Sequence, residues 1–132
     1  MKAPPFTIAG IDHILLHVNG MERNLAFYEG GLGCTVETRI PQFGMAELRA
    51  GASHVDLVDI SSAEGAWAKG SADGGRNIDH FALAVQPRDI QSLREHLTSN
   101  GIVITEEREE DSAVSLYVRD PSGNTIELLC RK

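Results

Sequence analysis

The tripeptide Ile-Asp-His occurs twice, at 11–13 and 78–80, and each copy opens an apolar stretch, Ile14-Leu15-Leu16-His17-Val18 and Phe81-Ala82-Leu83-Ala84-Val85. Side chains alternate along a strand, so Ile14, Leu16 and Val18 share a packing face while His13, Leu15 and His17 look the other way. The same parity sets Phe81, Leu83 and Val85 against His80. Later in each half a carboxylate takes the histidine-bearing face: Asp56 between Val55 and Leu57, and Glu127 between Ile126 and Leu128. A lone strand histidine is ordinarily a hydrogen-bonded structural residue. Here two imidazoles and two carboxylates recur at equivalent positions, which suits a divalent ion (Zn²⁺, Ni²⁺, Mn²⁺, Co²⁺ or Fe²⁺) with positions left for water or substrate.

Other polar residues share these faces. His17 lies four residues, about 13 Å, beyond His13 along the strand, which makes it pocket lining or a general acid/base rather than a ligand of the same ion. Ser115, Tyr117 and Arg119 alternate ahead of the final turn, with Met45, Glu47 and Arg49 as their first-half counterparts. Glu47 is open to three roles: ligand, base, or partner of the arginines. His54, at a turn, and His96, on a helix, are expected to be solvated.

Each candidate strand is followed by the same succession of elements. Met21 to Tyr28 reads as a helix closed by Gly30, Gly31 and Gly33, and Arg88 to Ser99 as a helix with Ile90, Leu93 and Leu97 on one face, stopped by Asn100-Gly101. Strands are expected at 34–40, 44–50 and 54–60, then at 102–107, 113–119 and 124–130. Tight turns at Ala50-Gly51-Ala52 and Asp120-Pro121-Ser122-Gly123 join the last two of each set. The fold class is α+β: two βαβββ modules, 11–60 and 78–130, in pseudo-twofold repeat within a single domain of 132 residues. Units of about fifty residues bury their apolar faces poorly alone, so the two are expected to share a core, within one chain or across a dimer. The linker 61–77 is rich in Gly, Ala and Ser and holds Trp67, which reads as a surface anchor.

Composition narrows the classes of function. The chain is 42% hydrophobic and 23% charged, with no apolar run near the ~20 residues a bilayer demands. A net charge of −7 without a basic stripe argues against nucleic acid and anionic lipid as partners. Cys34 and Cys130 form neither a CxxC motif nor a disulfide framework, and MKAPPF lacks the apolar segment of a signal peptide, so a cytoplasmic location is expected. The acidic run Glu106 to Asp111 reads as a solvated hairpin loop.

These residues resemble the vicinal oxygen chelate superfamily, the glyoxalase, bleomycin resistance protein and extradiol dioxygenase family. The resemblance covers about residues 9–130. It is carried by Ile11-Asp12-His13, Ala26-Phe27-Tyr28 with Gly31-Leu32-Gly33, Ile78-Asp79-His80, and most specifically Arg119-Asp120-Pro121-Ser122-Gly123-Asn124-Thr125-Ile126-Glu127-Leu128. It implies an incomplete barrel of two modules around a divalent metal ion, often with the cleft assembled in a homodimer. His13, His80 and Glu127 match the recurrent ligand positions. Asp56 falls at the fourth, where the family more often has the longer glutamate, so a water-bridged contact is an alternative to a direct bond. Tyr117 resembles a substrate-contacting position. The implied activity is a lyase- or isomerase-type proton transfer on a small oxygen-chelating substrate, with Glu127, Tyr117 and His17 as catalytic candidates. Two alternatives remain at this stage: an extradiol dioxygenase using His13, His80 and Glu127, and a non-catalytic, bleomycin-resistance-type binding protein. No cationic cluster for a phosphonate or a tripeptide carboxylate is evident, although Arg49 and Arg119 could serve one small anion.

Overall fold

The computed structural model describes residues 11–69, 78, 80–86 and 89–132. Asp79, Arg88 and linker positions 70–77 lie outside the described residues. The first module runs β1 (His13–Val18), α1 (Met21–Leu25) continuing as a π-helical turn (Ala26–Gly31), β2 (Thr35–Ile40), β3 (Met45–Ala50) and β4 (Ser53–Asp59). The second runs β5 (Phe81–Ala84), α2 (Ile90–Ser99), β6 (Glu106–Glu109), β7 (Ala113–Arg119) and β8 (Thr125–Arg131). Each module folds into its own four-stranded mixed sheet, ordered β1-β4-β3-β2 and β5-β8-β7-β6. In both, the last strand returns parallel to the first and antiparallel to its predecessor. The repeated tripeptides therefore mark a repeated topology, an α+β fold whose two sheets are not closed into a barrel.

Alternating side chains decide which face of each sheet packs. In β1, Leu16 and Val18 are buried while His13, Leu15 and His17 are exposed. Leu16, Val18, Leu25, Tyr28, Leu48, Val55 and Leu57 of the first module join Leu97, Leu116, Val118, Ile126 and Leu128 of the second in one buried cluster. The modules thus share a core within the chain. Gly31 makes their contact close: a Cβ there would stand 2.6 Å from Ile102 Cδ1, so a side chain would force Ile102 to shift.

Several boundaries differ from the periodicity. The first helix changes to π geometry after Leu25. It also lacks a local cap: the Asp59 carboxylate, at the end of β4, accepts from the Gly20 and Met21 amides at 3.2 and 3.0 Å. The second helix is locally capped, with Asp89 accepting from the Ser92 amide at 3.1 Å. Residues 102–105 are irregular, and the acidic run is not a hairpin loop: Glu106–Glu109 forms edge strand β6, paired with Val114–Tyr117. An edge strand with one free side is well served by charge, which opposes pairing with another chain. In the linker, Trp67 donates its indole N–H to the Phe43 carbonyl at 2.8 Å while staying largely exposed.

The Asp120-Pro121-Ser122-Gly123-Asn124 turn does more than join β7 to β8. Buried Asp120 accepts from the Ser122 and Asn124 amides at 2.9 and 2.8 Å, from Asn124 Nδ2 at 2.8 Å and from the Tyr28 hydroxyl at 2.7 Å. Ser122 Oγ receives the Asn19 amide at 2.8 Å and donates to Asn24 Oδ1 at 3.1 Å, and Asn124 Nδ2 donates to the His17 carbonyl at 3.1 Å. The turn holds the start of α1 and the end of β1, so it is a joint between modules. His96 is exposed, as expected, and also reaches this junction: its Nε2 donates to the Gly31 carbonyl at 2.8 Å.

Candidate functional site

The open face of the second sheet is organised around Glu127. Strand register sets Glu127 beside Ala82 on one side and Tyr117 on the other. Ser115 Oγ donates to Glu127 Oε2 at 2.7 Å, and the Tyr117 hydroxyl to Oε1 at 3.0 Å. His80 Nε2 lies 3.1 Å from the same Oε1, and its ring meets that of Tyr117 edge-on with centroids 5.6 Å apart. Burial alone would raise the Glu127 pKa, but the Ser115 and Tyr117 hydrogen bonds and the nearby His80 outweigh it and hold the carboxyl below its ordinary range. Glu127 is an anion at neutral pH, fixed from three sides.

The first sheet carries the equivalent row. Asp56 stands between Leu15 and Glu47 in register, with Glu47 where the second module has Tyr117. The consequences for charge are opposite. Asp56 is 5% exposed, and its Oδ1 is buried without a hydrogen-bond partner. Burial raises its pKa, as does the charge of Glu47, with His13, His54 and a backbone hydrogen bond from Leu48 compensating only in part. Buried carboxylate oxygens are ordinarily paired, and an orphan costs roughly 1–3 kcal/mol, which a cation would offset. His13 stays half exposed, its Nδ1 held 2.8 Å from Asp12 Oδ1 and its pKa raised by that hydrogen bond first and then by the charge of Asp56. A ring fixed through one nitrogen presents the other, a recurrent arrangement for metal-binding histidines.

Of the four ligand candidates, the chain brings His80 to Glu127 and sets His13 near Asp56. Among the described residues, no three His, Cys, Asp or Glu side chains converge on a point that could hold a metal ion. His17 is exposed, and its ring makes no hydrogen bond among the described residues. His54 is only partly exposed, its Nε2 lying 2.6 Å from Glu37 Oε1. Arg49 is fixed on the same carboxylate, which removes it as an anion receptor. A break in register between Val36 and Thr38 falls at Glu37, the residue that holds them both. Arg119 lines a different cleft of about 400 Å³, with Phe27, Ile102 and Pro121. Ser115 is the site residue whose part the sequence left open; parity placed it on the face, and only the 2.7 Å bond reveals its partner.

The donor types suit a divalent ion, and the orphaned Asp56 oxygen calls for a cation. Among the described residues, no helix is long and apolar enough to cross a membrane.

Comparison with known proteins agrees with this architecture. The chain is similar to a putative glyoxalase family protein from Bacillus anthracis at 21% identity and a TM-score of 0.76, covering 98% of this chain and 100% of that one. It is similar to the lactoylglutathione lyase from Agrobacterium tumefaciens at 17% identity and a TM-score of 0.72, with 93% and 94% covered. It is also similar to a genomically encoded fosfomycin resistance protein from Listeria monocytogenes at 17% identity and a TM-score of 0.73, with 96% and 94% covered. At such identities the likeness is one of fold. The family model reaches further, matching residues 10–128 and so taking in both sheets, both tripeptides and the Asp120 turn. With two βαβββ sheets each bearing a histidine and a carboxylate on its open face, the chain belongs to the Glyoxalase/Bleomycin resistance protein/Dioxygenase superfamily, the vicinal oxygen chelate proteins.

Proposed function

We propose that the protein is a divalent-metal-dependent enzyme of the lyase or isomerase type, moving a proton on a small substrate that presents neighbouring oxygens. Its site is completed between two copies of the chain: His13 and Asp56 of one copy meet His80 and Glu127 of the other. The observation that carries this reading is the buried Asp56 Oδ1 with no partner, on a sheet whose ligand-type residues are too few to hold an ion alone. A homodimer juxtaposing unlike sheets would supply two nitrogens and two carboxylates twice, once for each copy. The whole chain acts as one domain in each subunit, as the shared core supports.

The bound ion would act as a Lewis acid for an oxyanion developing on the substrate. The remaining work falls to side chains. Ser115 and Tyr117 hold Glu127 ionised, so that it can serve as ligand and as proton acceptor when substrate arrives. The Tyr117 hydroxyl lies beside this carboxylate, within reach of a substrate oxygen. The clamp on Glu127 supports a metal-holding site over a groove that sequesters a cationic drug.

Complementation tests the shared site. His13→Ala and His80→Ala variants, each unable to retain Mn²⁺, are mixed, unfolded and refolded together. Random pairing restores about a quarter of wild-type sites if each site draws on two chains, because half the dimers are mixed and each has one intact site. Metal content after dialysis reads the result. No recovery overturns the shared site, and a wild-type protein that retains no ion overturns the metal reading.

A further inference from the structure

The register of the second sheet brings two arginines to the open face that carries Glu127. Ser115 of β7 stands between Arg108 of β6 and Leu129 of β8, and one row further Ala113 stands opposite Arg131. Arg108 and Arg131 therefore flank the short side chains of Ser115 and Ala113 from opposite sides. Where a sheet face carries small residues between long ones it leaves a hollow. Here it is a cavity of about 80 Å³, lined by Arg108, Arg131, Glu110, Ser115, Tyr117 and Glu127. At about 30 Å³ per water, it has room for a group the size of a carboxylate.

The charged groups of this hollow are unequally engaged. Glu127 is committed to Ser115, Tyr117 and His80. The Arg108 guanidinium lies 5.6 Å from the centroid of the Tyr117 ring, with only its Nε engaged, by Glu106 at 3.2 Å. The Arg131 side chain makes no hydrogen bond or ion pair among the described residues. Two guanidiniums thus line the hollow with two carboxylates, Glu110 and the hydrogen-bonded Glu127, and Arg131 is the one without a partner of its own among the described residues.

We propose that Arg108 and Arg131 are specificity residues that receive a second, anionic group of the substrate, a carboxylate-sized oxyanion beyond the pair of oxygens held at Glu127. The planar fork of donors on a guanidinium matches such a group, and Arg108 is already braced against Tyr117. The substrate class narrows to small dianionic or hydroxy-diacid molecules, and neutral ketones and simple hydroxy acids become poor ligands. This inference rests on the metal reading above.

Calorimetry on the full-length Mn²⁺-loaded protein separates the two. Malate and 2-hydroxybutyrate are both 2-hydroxy acids, and malate alone has the second carboxylate. Wild type is expected to bind malate about tenfold more tightly, the difference one charge-assisted contact makes. Arg131→Ala and Arg108→Gln are each expected to remove most of that preference while leaving 2-hydroxybutyrate affinity and Mn²⁺ content unchanged. Arg131→Ala is the cleaner variant, since it leaves the contact with Tyr117 in place. Equal affinity for the two acids with Mn²⁺ bound, or a preference that survives both variants, overturns the anion site and spares the metal reading. Failure to retain Mn²⁺ at all overturns both.

Discussion

Glu127 and Asp56 occupy equivalent positions in the repeat and behave in opposite ways, which makes them the most informative residues to change. Glu127 is fully satisfied, so Glu127→Gln keeps the shape of its hydrogen-bonded cluster and removes the charge. It should retain the melting temperature of the metal-free protein within a few degrees and lose Mn²⁺ affinity by on the order of 100-fold, read by equilibrium dialysis. Asp56 is unsatisfied, and its substitution should have two signs. The Asp56→Asn variant is expected to be more stable than wild type without metal, by about 1 kcal/mol, because burying a neutral amide costs less than burying an orphaned carboxylate. Added Mn²⁺ should then fail to raise its melting temperature. An Asn variant less stable than wild type in the metal-free state would count against strain at Asp56. Parity in the sequence assigned both carboxylates and both histidines to the faces turned away from the apolar sets. It could not foretell that His54 pairs with Glu37, that His96 reaches Gly31, or that Arg108 lies over Tyr117, since each contact depends on register or on a partner far along the chain.

At the scale of elements, two carboxylates hold the first helix in place, and neither belongs to it. Asp59 caps its start from the end of β4, and Asp120 receives the Tyr28 hydroxyl from the other module. Tyr28→Phe should therefore destabilise the fold by about 1–3 kcal/mol in denaturant titration, since it leaves a buried carboxylate one donor short. Asp59→Ala should cost about 1–2 kcal/mol near pH 7, in the manner of a lost helix cap. Its pH dependence has a defined sign. Burial raises the Asp59 pKa, but hydrogen bonds from Ser61, Gly20 and Met21 outweigh it, so the folded value lies below the unfolded one. The contribution is intact above about pH 5, where the unfolded carboxylate is ionised, and fades as pH falls through the folded value. The stability gap between wild type and variant should narrow on acidification. A gap that widens toward low pH would contradict the assignment. Helix and strand identities were legible from periodicity, whereas the π turn after Leu25 and the edge strand at 106–109 were not. The first accompanies the close packing of Gly31 on Ile102, and the second is an acidic run that pairs as a strand despite its composition.

At the scale of the molecule, the two modules are alike in topology and unlike in what their faces need. One face presents a finished anion, and the other an unpaired one. A chelator should lower the melting temperature of the metal-loaded protein, and the shift should grow with metal concentration as mass action requires. Under the two-copy arrangement, light scattering should show a dimer in the presence of metal, and His80→Ala should lose the metal-dependent shift without losing the fold. The match to the superfamily over residues 10–128 agrees with a repeat readable from two tripeptides, because a duplicated module repeats its pattern of strands as well as its residues.

The amino-acid order by itself determined the duplication, the α+β class, the faces of the strands and the identities of four ligand-type residues, because these depend on local periods of two and 3.6 residues. Tertiary structure alone decided which of those four meet within a chain, that the Asp120 turn is a joint between modules, and that two arginines line one hollow with Glu127. Those outcomes depend on strand register and on contacts between residues as far apart as Tyr28 and Asp120, which no local period encodes.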